Sequence, residues 1–249
     1  MKLSVILGFI FGFGIILITV LTKEDTTLFL NWSSLTITLG GTLSAVIIYF
    51  SPGALIDASR AFVSIFTDKQ HSANHVVNTI IEVSKRSKKT SYRTILKSSE
   101  VQNISFLEKG LTLISDGVDT DQTEDILIQE SRARTARDRV AERVYAVAGS
   151  FAPMFGMMGT VIGLIAMLNR IEDPASMPAA MGLALVTTLY GLIFSSLMFK
   201  PISGKIRDKN NMDTNIRDII IEGIRSIQNG DNSVITKEKL TVYLKDGLK

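Results

Sequence analysis

Cysteine is absent from the sequence, and histidine is scarce: the 249 residues include no Cys and only two His. The lack of cysteine excludes a disulfide framework and a thiolate metal site. His71 and His75 are four residues apart, but no third ligand pattern lies near them, so we expect solvent-exposed surface there. The sequence therefore predicts a protein that is not an enzyme and that has no cofactor and no permanent metal.

Charge is absent from four long windows. Residues 3–22, 26–56, 144–169 and 174–199 contain no Asp, Glu, Lys, Arg or His. Each window can hold the ~20 apolar residues needed to cross about 30 Å of hydrocarbon. The first window is too long for a signal peptide, and no small-residue cleavage site precedes Lys23. The prediction is an all-α integral membrane protein with four transmembrane helices.

The basic residues predict its orientation. Of the 27 Lys and Arg, all but Lys2, Lys23 and Arg170 lie in the polar stretches 57–143 and 200–249. The short links 23–27 and 170–178 are net acidic. By the positive-inside rule, both termini and both polar stretches are cytoplasmic. The same rule accounts for the net charge of +3, so a nucleic-acid partner is not expected.

The polar stretches read as helical. Pro52 ends the second span, and residues 54–66 form a helix along the inner membrane surface. Apolar spacing predicts a helix over 73–89, and a helix from Gln122 is expected to run into the third span. In the tail, an isoleucine stripe ends at Asn229-Gly230; its members are Ile216, Ile220, Ile224 and Ile227.

We accordingly divide the chain into four parts. Residues 1–50 hold transmembrane helices 1 and 2, and 51–147 form a cytoplasmic helical domain. Residues 148–201 hold transmembrane helices 3 and 4, and 202–249 form helical cytoplasmic tail segments.

Small residues recur at helical spacing in the last two spans. One interpretation is close helix packing, which small residues permit in a membrane. The other is an ion path, in which hydroxyl and carbonyl oxygens replace part of the hydration shell of a cation. The packing face consists of Gly156, Gly159, Gly163, Ala184 and Gly191.

Three threonines lie at one depth. Thr160 follows Gly149 by eleven residues, roughly 16 Å at helical rise, and Thr188 follows Pro178 by ten, roughly 15 Å. Thr187 is beside Thr188. Pro153 frees a backbone carbonyl, which is tolerable only against protein or a water-filled cavity. Because no span contains an ionisable residue, the carboxylate of a coupled ion pathway would have to come from a second polypeptide.

Four stretches together resemble the MotA/PomA family of flagellar motor stator subunits. The resemblance covers nearly the whole chain and is carried by "APMFGMMGTVIGLIAMLNRIEDP", "AAMGLALVTTLYGLIFSSLMFKPI", "FLEKGLTLISDGVDTDQTEDIL" and "IIIEGIRSIQNGDN".

The resemblance implies a ring of five subunits in the bacterial inner membrane, around two copies of a single-span MotB/PomB-type partner that supplies the ion-binding aspartate. It implies that ion flow turns the ring against the rotor protein FliG. Pro153 and Pro201 match the family prolines, and Thr160 and Thr188 match the threonines of the ion path. Thr187 matches a position that is commonly Thr in sodium-driven members and Gly or Ala in proton-driven ones. The resemblance therefore implies transient Na⁺ near the three threonines, with H⁺ as the alternative.

The chain departs from the family pattern in two ways. Asn31 stands where sodium-type relatives commonly have aspartate. Lys88 and Lys89 match basic rotor-contact positions, but of the acidic cluster that follows only Glu100 remains. A solvated charged face is the alternative for 85–89.

Two other functions stay open. A TolQ/ExbB-type energiser of the outer membrane would have three spans, whereas this chain has an adjacent pair at its start. A passive membrane scaffold would need the hydroxyls only for packing.

Overall fold

A computed structural model describes residues 2–23, 26, 29–67, 72–169 and 177–244. The described part is helical and contains no strand. Its helices are α1 (Lys2–Leu21), α2 (Trp32–Tyr49), α3 (Pro52–Thr67), α4 (Ala73–Ser87), α5 (Tyr92–Ile95), α6 (Ser99–Gln102), α7 (Ser105–Ser115), α8 (Thr120–Leu168), α9 (Met177–Gln228) and α10 (Ser233–Thr241). Helices α2 and α9 each contain a π-helical segment, at Thr36–Gly40 and Phe194–Phe199.

Helices α2, α8 and α9 are long and apolar enough to cross a membrane, and α1 contains a shorter apolar stretch over Ile6–Leu21. The all-helical fold is thus confirmed, while the count of four spans stays a prediction. Helix α8 runs unbroken for 49 residues with Pro153 in its interior. The expected passage from Gln122 into the third apolar window is therefore present as one helix.

The chain divides into two compact units. The first comprises residues 1–67 and 137–207. In its core, one face of α8 packs against Val46 and Phe199. That face repeats at three- and four-residue steps, through Ala141, Val144, Ala148 and Ala152. Many large apolar side chains on the outside of this unit stay exposed, as lipid-facing helices require; they include Phe11, Leu30, Trp32 and Ile48.

The second unit comprises residues 68–136 and 208–249. It is built around a buried aliphatic core to which α4, α7, α8 and α9 contribute. The predicted isoleucine stripe belongs to this core: Ile220, Ile224 and Ile227 are buried, and Ile216 packs against them. Residues 52–67 belong to the first unit, and the predicted cytoplasmic domain over 51–147 stays a prediction.

Glycine ends two helices in the second unit. Gly117 and Gly230 have φ of 81° and 74°, a conformation that glycine adopts without strain. The Asp231 amide donates to the Ser226 carbonyl at 3.1 Å and closes the end of α9. The predicted stop at Asn229-Gly230 is confirmed, since α9 ends at Gln228.

Candidate functional site

Helices α8 and α9 approach each other closely along their glycines. A Cβ placed on Gly156 would lie 3.0 Å from the Thr187 carbonyl oxygen. One placed on Gly163 would lie 2.8 Å from Ala184 Cβ, and one on Gly191 would lie 2.6 Å from the Ala152 carbonyl oxygen. The predicted small-residue face is therefore the surface through which the two helix backbones meet, as small residues allow in a membrane.

Thr187 faces into this contact. Its side chain is fully buried, and its hydroxyl donates within α9 toward the carbonyls of Leu183 and Ala184, each at 2.9 Å. A Cβ on Gly159 would lie 2.5 Å from Thr187 Cβ. Thr187 thus fills the space that the missing side chain of Gly159 leaves.

Thr160 and Thr188 differ from Thr187 because both are only partly buried. The Thr160 hydroxyl donates to the Met157 carbonyl of its own helix at 2.5 Å. The Thr188 hydroxyl lies 3.5 Å from the Gly156 carbonyl oxygen across the helix contact. Each hydroxyl keeps lone pairs that a cation could use, and each retains a partly open side.

Pro153 removes an amide hydrogen from α8, and the structure shows what takes its place. The affected carbonyl is that of Gly149, four residues earlier. It accepts a hydrogen bond of 2.6 Å from the Ser195 hydroxyl of α9. The carbonyl that the sequence offered as a possible ion ligand is therefore already bonded to protein.

Pro201 lies apart from the threonines, thirteen residues after Thr188 on α9. It is exposed and borders a cavity of about 280 Å³. The cavity has mostly apolar walls, formed by Gly8, Phe9, Ile65, Phe66, Leu197, Pro201, Ile202 and Lys205.

Helix α2 adds a set of buried hydroxyls that sequence reasoning missed. Ser34, Thr38 and Thr42 are spaced by four residues, share one helix face and are fully buried. The Ser34 and Thr38 hydroxyls lie 3.4 Å from the α9 carbonyl oxygens of Leu183 and Thr187. The i, i+4, i+8 spacing of Ser and Thr was the signal that could have identified this face.

Asn31 caps α2. Its side-chain oxygen accepts a hydrogen bond of 3.0 Å from the Ser34 amide. Its backbone amide donates to the Tyr190 hydroxyl at 3.3 Å, and that hydroxyl donates to the Phe29 carbonyl at 2.5 Å. Aspartate would cap this helix equally well, so capping accounts for either residue here without an ion.

The three predicted rotor-contact residues are all exposed in the second unit. Lys88 and Lys89 follow the last residue of α4, and Glu100 lies on the short helix α6. Hydrogen bonds from Lys239 and Ser226 lower the pKa of Asp231, and the positive charge of Lys88 adds to that shift. These positions are accessible to a partner.

Carboxylates with a perturbed pKa lie outside the charge-free windows of α8 and α9. Burial acts to raise the pKa of Glu130, but hydrogen bonds from Lys109 and Arg134 outweigh it and hold the pKa below its ordinary value. The Arg134 guanidinium is 2.5 Å from the Glu130 carboxylate. In the part of the chain that the structure describes, no group of three His, Asp or Glu is arranged to hold a metal.

Comparison with known proteins gives consistent matches. The sequence model of the MotA/TolQ/ExbB proton channel family matches residues 98–219. The chain is 31% identical to chemotaxis protein PomA of Vibrio alginolyticus over 247 residues, covering 99% of this chain and 97% of that protein. It is 32% identical to motility protein A of Borreliella burgdorferi, covering 98% of this chain and 94% of that protein.

A solved structure of the flagellar MotAB stator complex from Bacillus subtilis superposes with a TM-score of 0.84 at 26% identity. The match covers 97% of this chain and 95% of the solved one. Sequence and fold agree over nearly the full length, including the helix pair α8 and α9 that carries the threonines. The chain therefore belongs to the MotA/PomA family of flagellar motor stator subunits.

Proposed function

We propose that this chain conducts Na⁺ in a flagellar stator and couples that flow to rotation, together with a MotB/PomB-type partner. The observation that carries the proposal is the placement of Thr160 and Thr188. Both are partly buried hydroxyls on two helices in close contact. The apolar windows that contain them, 144–169 and 174–199, hold no ionisable side chain.

The chemistry follows from these oxygens. A cation that leaves water inside the membrane needs replacement ligands, and hydroxyl oxygens provide part of them. The negative charge must come from elsewhere, because a buried cation is costly without a counter-charge. We assign that charge to a carboxylate of the partner. We assign no catalytic role to the residues of this chain.

The choice of Na⁺ over H⁺ rests on Thr187. Its buried side chain occupies the gap over Gly159 and is hydrogen-bonded to α9 carbonyls. A smaller residue there would leave that gap open next to Thr188. We propose that Thr187 keeps the neighbouring oxygens at a spacing suited to a metal cation, whereas proton transfer has no need of such a spacing.

Three further features belong to the same proposal. The chain forms a ring, proposed to be a pentamer, in the bacterial inner membrane. Both termini are cytoplasmic, as the concentration of Lys and Arg in 57–143 and 200–249 favours. Exposed charges at Lys88, Lys89 and Glu100 meet the rotor protein FliG and mainly steer association.

The test replaces each pathway threonine with valine, which keeps the shape and removes the oxygen. Loss of one ligand costs about 1–3 kcal/mol, so sodium-driven rotation in Thr160→Val or Thr188→Val motors should fall roughly ten- to a hundredfold. Thr→Ser at either position should retain rotation. Thr36→Val is the matched control, since Thr36 is exposed and its hydroxyl donates to the Trp32 carbonyl of its own helix.

Stator number in each motor is counted by a fluorescent fusion, so that a failure of assembly is separated from a failure of conduction. Normal speed in both valine variants would remove the ion-path interpretation and leave the packing one. A TolQ/ExbB-type function predicts instead that the chain rescues outer-membrane energisation and no flagellar rotation.

A further inference from the structure

The carbonyl freed by Pro153 lies in a place where water cannot replace its lost partner. Gly149 is buried, and Ala152, one residue before the proline, is fully buried. A buried carbonyl without a hydrogen bond destabilises the folded state. An interior proline also pushes against the carbonyl four residues earlier and bends the helix.

Ser195 satisfies this carbonyl from the neighbouring helix. The distance from Ser195 Oγ to the Gly149 carbonyl oxygen is 2.6 Å, at the short end of hydroxyl hydrogen bonds. The Ser195 side chain is 1% exposed, so water does not compete for its proton. The bond joins α8 to α9 at the level of the proline.

Two local features bring the hydroxyl there. Ser195 lies in the π-helical segment Phe194–Phe199, where the Lys200 amide donates to the Ser195 carbonyl five residues back. A π-turn displaces side chains from the positions that a regular α-helix gives them. Opposite it, Gly149 has no side chain, and a Cβ there would lie 3.0 Å from Lys200 Cγ. The helices are thus close enough for a serine to reach across.

We propose that Ser195 is a positioning residue that replaces the amide hydrogen removed by Pro153. It joins α8 to α9 next to the proline and so positions the segment that leads to Thr160. Its effect on rotation rests on the proposed function, whereas its effect on stability does not.

The first experiment is a double-mutant cycle on the purified complex of this chain with its partner. Ser195→Ala should shorten the half-life of the complex at elevated temperature about tenfold, because a buried carbonyl loses its donor. In a Pro153→Ala background the restored amide takes the Gly149 carbonyl. The same Ser195→Ala change should then alter the half-life less than about twofold, the usual limit for independent sites.

Ser196→Ala is the matched control, since Ser196 is the adjacent serine in the same π-segment and is exposed. It should change the half-life in neither background. An equal effect of Ser195→Ala with and without Pro153 overturns the proposal, because the serine would then stabilise the complex for a reason unrelated to the proline.

The second experiment measures rotation at a counted number of stators over a range of external sodium. Ser195 is hydrogen-bonded to Gly149, and Gly149 precedes Thr160 by eleven residues along α8. Ser195 therefore lies away from the proposed ion ligands and is not assigned as one of them. Ser195→Ala should lower the speed at saturating sodium about tenfold and leave the half-saturating concentration unchanged within about twofold. Unchanged speed at saturation overturns the positioning role. If the unaltered chain drives no rotation at all, the proposed function fails and the stability cycle still decides the hydrogen bond.

Discussion

At the scale of single residues, hydroxyl groups in the first unit have different surroundings although they look alike in the sequence. The Ser195 hydroxyl donates to a backbone carbonyl of another helix, and the Thr187 side chain is fully buried in the helix contact. Thr160 and Thr188 keep a partly open side. Hydrogen bonding and exposure together, rather than residue type, separate groups that hold the fold from groups that can meet an ion.

Asn31 provides a test of capping against ion attraction. Asn31→Ala removes the oxygen that accepts from the Ser34 amide, and loss of an N-cap costs about 0.5–2 kcal/mol of stability. Asn31→Asp keeps the cap, so thermal stability should remain close to that of the unaltered protein. Melting of the detergent-solubilised complex measures both. If the Asn31→Ala protein has the melting temperature of the unaltered protein while its sodium dependence changes, Asn31 acts in ion attraction rather than in capping α2.

Gly163 tests the packing face. Gly163→Ala places a Cβ 2.8 Å from the Ala184 backbone nitrogen, so α8 and α9 must separate. We expect a loss of about 1–3 kcal/mol from overpacking and a lower yield of assembled complex. Gly182→Ala is the control, since a Cβ there meets nothing within 4 Å and alanine favours the helix. Equal yields of the two variants would contradict the close packing.

At the scale of helices, α10 is held to α9 by charge as well as by its buried Leu240. Lys239 Nζ lies 2.8 Å from the Asp231 carboxylate, and the Ser226 hydroxyl donates to the same oxygen at 2.8 Å. The hydrogen bond from Lys239, followed by that from Ser226, lowers the pKa of Asp231. The hydrogen bond to Asp231 raises the pKa of Lys239.

These shifts give the α9–α10 contact a pH window. The lowered pKa of Asp231 stabilises the fold above its unfolded value of about 3.9, and this stability is lost as pH falls through the folded value. The raised pKa of Lys239 stabilises the fold below about 10.4, and this stability is lost as pH rises through the folded value. Proteolysis within α10 should therefore accelerate below roughly pH 4 and above roughly pH 10.

Asp231→Asn should abolish the acid limb of that profile, whereas Glu238→Gln, on the exposed side of α10, should preserve it. An acid limb that survives in Asp231→Asn would assign the pH dependence to another carboxylate.

The helices themselves could largely be predicted from the sequence. The charge-free windows and the isoleucine stripe predict α8 and α9, because both helices follow from local residue spacing. Asn229-Gly230 predicts the end of α9, because that end depends on one glycine. The partner of the Gly149 carbonyl could not be predicted, since it depends on a π-segment 46 residues away. The buried face of α2 has a four-residue spacing of Ser and Thr that is visible in the sequence, but that spacing alone does not show which face of the helix contacts α9.

At the scale of the whole molecule, charge is segregated between apolar helices and polar stretches. Reporter fusions after Lys89 and after Gly230 should read cytoplasmic, and one within 172–176, outside the described residues, should read external. This follows from the positions of Lys and Arg. An external reading at Lys89 would overturn the four-span topology and support a three-span chain.

Rotor contact is a second property of the whole molecule. Exposed charges each contribute little, so single alanine substitutions at Lys88, Lys89 or Glu100 should leave most torque. Reversal of Lys88 and Lys89 together should reduce stator recruitment, because like charges then face the partner. Counting stators per motor measures recruitment. Full motility of the double reversal would place the contact elsewhere.

The π-segment at Phe194–Phe199 has a consequence for how the length of this chain can change. Such a segment holds one residue more than an α-helix with the same flanking faces. Deletion of a residue in a regular helix rotates everything beyond it by about 100°. Deletion of the exposed Ser196 would instead turn the π-segment into an α-helix and keep both flanking faces in register. Loss of one codon here should therefore disturb the packing of α9 less than loss elsewhere in that helix, although it also removes the π-turn that presents Ser195 to Gly149.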